Sequence, residues 1–143
     1  MTPENEEKKD YLMRYKWGQM RIAQIEEEII QLRLSALPGA IKYDGMPKGS
    51  EPSGDMSGYA GKLDALIRSC KDARYKTLAE MEEVGEAINR MDDERYVILL
   101  RCRYIQLKEW EETARFMGYS TVHVKRMHGE ALRAFEIPKD DTK

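Results

Sequence analysis

Residues 110–129, WEETARFMGYSTVHVKRMHG, decide how the rest of the chain is read. They fit two short helices joined by a tight turn. Such a pair needs a small residue midway along its first helix, where the second crosses close by, and Ala114 supplies it. It needs a residue tolerant of positive φ at the turn, and Gly118 supplies that. It needs a buried aliphatic residue on the second helix, and Val124 stands six residues further on, with apolar support from Met117, Tyr119 and Met127. Ser120 is placed to cap the second helix, whose free N–H groups then suit a phosphate. The face left exposed carries Ser120, Thr121, Val122, Lys125 and Arg126. Those side chains suit phosphate contact and base-edge readout in a DNA major groove, so the pattern predicts a helix-turn-helix.

On either side of this stretch the helical reading continues. Asp92 or Asp93 is an N-cap for a helix whose apolar positions are Tyr96, Val97, Leu99, Leu100 and Tyr104. The helix after Ser120 extends to about Phe135 and is stopped by Pro138. Residues 91–137 thus form a three-helix module, with 138–143 as a tail. Within 120–135, Lys125, Arg126 and Arg133 face only Glu130, which makes this the one basic patch of the sequence. Toward the N-terminus, Leu63, Cys70, Thr77, Val84 and Met91 recur every seven residues, with Leu66, Ile67, Ala73, Met81 and Ile88 beside them. That period predicts a helix over about 57–90, with Gly85 its weak point. Residues 38–56 hold Pro and Gly in a density that reads as a flexible loop. Before it, Tyr15, Ile22, Ile29 and Ala36 form one heptad series and Tyr11, Gly18, Ile25 and Leu32 another, predicting a helix over about 5–37. The expected fold is therefore all-α: a long antiparallel helical hairpin over 1–90, followed by the helix-turn-helix module. Neither long helix can bury its stripe alone, so self-association, most simply as a homodimer with a coiled-coil contribution, is expected as well.

Composition narrows the classes further. Leu, Ile, Val and Phe make up only 27 of 143 residues, which leaves a modest core and much charged surface. Net charge is −2, from 24 basic and 26 acidic residues, so any affinity for nucleic acid must come from a local face. No apolar run approaches the roughly 20 residues of a membrane span. The start, MTPENEEKKD, lacks the apolar core of a signal peptide, and two cysteines without a paired motif make no disulfide scaffold. A cytoplasmic protein is expected.

Residues 91–135, MDDERYVILLRCRYIQLKEWEETARFMGYSTVHVKRMHGEALRAF, resemble the fourth region of bacterial sigma factors. The resemblance rests on the Glu-Arg helix start, the L-x-x-R-Y helix end, the W-E-E-x-A-x-x-M-G-Y-S turn and the basic V-K-R helix. The whole chain is similar to phage-encoded regulators built on that module, of the ArpU and RinA late-gene type. The resemblance implies phage or prophage origin, control of transcription through promoter DNA, and RNA polymerase as a candidate second partner. It places Ser120, Thr121, Val122, Lys125 and Arg126 on DNA-facing positions. His123 and Arg133 join them as auxiliary contacts. The chain departs from the family at Glu109, where Ser often caps the helix, and at Thr113, usually Ile. The other DNA-contacting and DNA-melting regions of a full sigma factor have no counterpart, so a complete sigma factor is not expected.

Other chemistries find little footing. His123 and His128 are five apart and do not share a helical face for a metal. Cys102 lies between Arg101 and Arg103, which would lower its pKa, but a buried structural cysteine is the simpler reading. Trp17 and Trp110 read as packing residues. The runs Glu26–Glu28 and Glu82–Glu83 lie on charged helices without a nucleophile, base or Gly-rich loop nearby. A non-enzyme without cofactor or metal is expected. Two other classes remain open. One is a DNA-packaging adaptor, similar to a small terminase, that uses the same helix-turn-helix in a ring. The other is a helical interaction protein without DNA contact.

Overall fold

The computed structural model describes residues 1–37 and 56–139, and every regular element among them is an α-helix. The loop expected at 38–56 lies, apart from Met56, outside the described residues, as does the tail beyond Lys139. No helix among the described residues is long and apolar enough to cross a membrane.

Six helices follow one another: α1 (Pro3–Leu12), α2 (Arg14–Ser35), α3 (Met56–Asn89), α4 (Glu94–Tyr104), α5 (Trp110–Met117) and α6 (Thr121–Ala134). The first helix expected as one piece over 5–37 is thus two, interrupted at Met13. It also starts earlier, because Thr2 and Pro3 make a strong helix start. The Thr2 hydroxyl accepts the Asn5 N–H at 3.1 Å, and Pro at the first helical position forgoes only a donor that would have had no partner.

The chain divides into two compact units, Met1–Gly18 with Thr77–Lys143, and Gln19–Lys76. The division falls inside both long helices rather than at residue 91. Its cause is the core of the first unit. Leu12, Val84, Ala87 and Ile88 are buried in the same cluster as Leu99, Leu100, Tyr104, Val124, Leu132 and Phe135. The N-terminal helix and the last turns of α3 thereby belong with α4–α6. Tyr11 packs on Phe135 at 6.0 Å between ring centroids, and Lys8 Nζ donates to the Arg133 carbonyl at 3.0 Å. In this unit, too, Gly18 lies so close to Thr77 that any Cβ there would collide with the threonine side chain.

The second unit has a smaller core. Ile22, Ile25 and Cys70 are buried together, with Ile29, Leu66 and Ala73 packed around them. An ion pair joins Arg74 to Glu26. Within the first unit, Arg14 pairs with Glu80 and Glu83 and Gly18 lies against Thr77. Trp17, expected as a packing residue, is instead 54% exposed.

Candidate nucleic-acid interface

The C-terminal helices are positioned by local chemistry at their ends. Asp93 caps α4, accepting the Arg95 N–H at 2.9 Å. At α5 a glutamate stands in the cap position, and the Glu112 side chain reaches back to accept the Glu109 backbone N–H at 3.2 Å. Helix α5 ends in a left-handed Gly118 with φ 79° and ψ 28°. There the Tyr119 N–H donates to the Ala114 carbonyl at 3.0 Å and the Gly118 N–H to that of Arg115 at 3.3 Å, the hydrogen-bond pattern of a Schellman ending. Two residues later the Ser120 hydroxyl accepts the His123 N–H at 3.1 Å and starts α6. Ala114 is buried between α5 and α6, and Val124 is fully buried. The small residue, the turn glycine, the cap and the aliphatic anchor therefore stand where the sequence placed them.

Helix α6 buries one face through Val124, Met127, His128, Ala131 and Leu132. The opposite face follows from the 3.6-residue period. Val122, Arg126, Gly129 and Arg133 succeed one another at steps of four, three and four along it. Val122 is 67% exposed, and Ser120, Lys125, Arg126 and Arg133 are exposed as well. Thr121 and His123 are half-buried, and the His123 imidazole meets the Tyr119 ring edge-on at 4.5 Å. Lys125 Nζ lies 5.9 Å from the Trp110 ring centre, at the border between α5 and α6. All seven sequence-predicted residues thus lie on or beside one helix. Phe116, on α5, adds a 65%-exposed aromatic ring with Lys108 Nζ 5.5 Å above it. Sequence reasoning passed over this pair.

Behind this face sits a polar cluster that periodicity does announce, because His128 follows Val124 by four residues. The imidazole Nε2 is 2.6 Å from the Tyr104 hydroxyl, and the Trp110 ring stands edge-on to it at 5.0 Å. Arg103 stacks on Trp110, 3.9 Å from the ring centre, and donates to the Lys108 carbonyl at 2.6 Å. Burial pushes the His128 pKa down to about 4, helped by the charges of Arg103 and Lys9, and pushes Tyr104 up to about 12. At neutral pH both groups are uncharged. Cys102 is buried, and burial raises its pKa, against the lowering that neighbouring arginines suggested. The hydroxyl of Thr113, the residue that departs from the expected Ile, is fully buried without a hydrogen-bond partner among the described residues. No group of three or more His, Cys, Asp or Glu among the described residues gathers to hold a metal.

No protein-family model matches the chain, and neither a curated protein nor a solved structure shows significant similarity to it.

Proposed function

We propose that this protein is a sequence-specific DNA-binding transcription regulator of phage or prophage genes. In this reading α4–α6 form a helix-turn-helix module like the fourth region of sigma factors, and α6 is the recognition helix. α2 and α3 form the helical hairpin that precedes it. The observation that carries the reading is the outward face of α6. A capped helix after a left-handed turn presents Lys125, Arg126 and Arg133 with one opposing acid, Glu130, on a chain whose overall charge is −2. A cationic face of this shape meets phosphates and base edges together. The hairpin is supported by the opposed order of partners within the first unit, Arg14 with Glu80 and Glu83, then Gly18 with Thr77. RNA polymerase remains a second partner of the same reading, and a homodimer is its working form.

Duplex binding tests the proposal. Affinity should fall steeply with salt, because neutralised phosphates release counterions. Arg126→Ala should weaken binding by about 1–3 kcal/mol if Arg126 reads a base. Equal affinity of the wild type and a Lys125→Ala/Arg126→Ala double variant in a fluorescence-anisotropy titration would remove α6 from the interface.

A further inference from the structure

Gly129 lies in the middle of α6, half-buried, between the exposed Arg126 and Arg133. Glycine there weakens a helix, since it adds backbone entropy to the unfolded chain and offers no side chain. Three other glycines have a reason inside the molecule, whereas Gly61 in α3 has none. Thr77 crowds Gly18, the Arg101 guanidinium lies 3.2 Å from where a Cβ of Gly85 would be, and Gly118 takes a positive φ. Gly129 has none of these. Its φ is helical, and a Cβ would meet no atom within 4 Å. The Asn5 side chain donates to the Gly129 carbonyl at 3.4 Å, a bond any residue could accept.

The place a Gly129 Cβ would take is open. A helix with its side chains is about 10–12 Å across, and the major groove is about 12 Å wide. A helix seated in that groove has almost no clearance on its outward line. Arg126 and Arg133, on either side of Gly129, are seven residues apart, or about 10 Å at the helical rise. They flank whatever surface meets the helix at Gly129. We propose that Gly129 is the point of closest approach between α6 and duplex DNA, where the missing side chain lets the helix backbone lie against the groove. This rests on the reading of α6 as the recognition helix.

The inference separates stability from affinity, which a merely structural role would not do. Gly129→Ala should raise the melting temperature of the full-length protein by about 3 °C, because alanine favours the helix and meets no clash. The same variant should bind a duplex selected by the wild-type protein from a random pool about tenfold more weakly, the worth of one lost groove contact. Gly61→Ala, in α3, is the control, for a Cβ there also meets nothing. It should raise the melting temperature similarly and leave affinity unchanged. If Gly129→Ala binds the selected duplex as tightly as the wild type, the close approach is wrong while the recognition helix stands. If Gly61→Ala weakens binding as much, the effect runs through the fold and the inference fails. If the wild type selects no duplex, the recognition-helix reading fails first and takes this one with it.

Discussion

At the scale of single residues, His128 carries the most consequential chemistry that is not on the surface. Its imidazole is held neutral between Tyr104, Trp110 and the charges of Arg103 and Lys9. In the unfolded chain the same group takes up a proton near pH 6.5, whereas in the folded chain it resists until about pH 4. Between those values the unfolded state binds more protons, so stability falls as pH falls, and it is complete only above about 6.5. The loss across that window is about 3 kcal/mol. Melting temperatures from pH 7 to 4.5 should show this slope, and His128→Gln should flatten it; parallel curves for the two proteins would mean that the imidazole is not buried uncharged. Residues whose role depends on their nearest neighbours in sequence were legible. Gly118, Ser120 and Asp93 act through backbone groups one to four residues away, so their type and spacing reveal them. Gly18 was legible only as a place in a heptad series. Its reason for being glycine is Thr77, on another helix, which no local pattern discloses.

At the scale of elements, the same distinction separates α3–α6 from α1. The later helices have periodic apolar faces, and their limits agree with expectation to within a few residues. Helix α1 attaches by polar groups as well as by Leu12 and Tyr11. Asn5 and Lys8 donate to the carbonyls of Gly129 and Arg133, more than 120 residues away, and only Leu12 is buried as an apolar anchor. A sequence pattern that sorts apolar from charged positions reads such a helix as one more stretch of charged surface. The consequence bears on where α4–α6 can be cut from the chain. Residues 91–143 alone would lose Leu12, Val84 and Ile88, all fully buried in the core they share with α4 and α6. At about 1.5–3 kcal/mol for each buried aliphatic side chain, that loss approaches the whole stability of a small domain. The 91–143 fragment should therefore be largely unfolded in isolation, with little cooperative melting by circular dichroism. A fragment that melts cooperatively near the temperature of the full chain would show that α1 and the end of α3 are accessories to this core.

At the scale of the whole molecule, the charge balance sets the problem that assembly must solve. With 24 basic and 26 acidic residues the chain has no general attraction to DNA, and on the proposed reading one face of α6 would supply few phosphate contacts. Two such faces, reading half-sites about 34 Å apart, would multiply the affinity without any new contact within either. The heptad reading places the joining surface at residues such as Ile25 and Ile29. Ile25, however, is 2% exposed, buried with Ile22 and Cys70 in the core of its own unit, and Ile29 packs against them. Near the end of α2, Ile30 and Leu34 remain about half exposed, as do Trp17 and Met20 nearer its start. Ile30 and Leu34 stand four apart on one helical face, suited to the same face of a second copy. Leu34→Asp should therefore convert a dimer to a monomer in light scattering while leaving the melting temperature nearly unchanged. Ile25→Asp should instead bury an unpaired carboxylate, lower the melting temperature markedly and make any loss of dimer a result of unfolding. A full-length protein that is monomeric at micromolar concentration, or a Leu34→Asp variant that stays dimeric, would place the joining of two DNA-reading faces elsewhere.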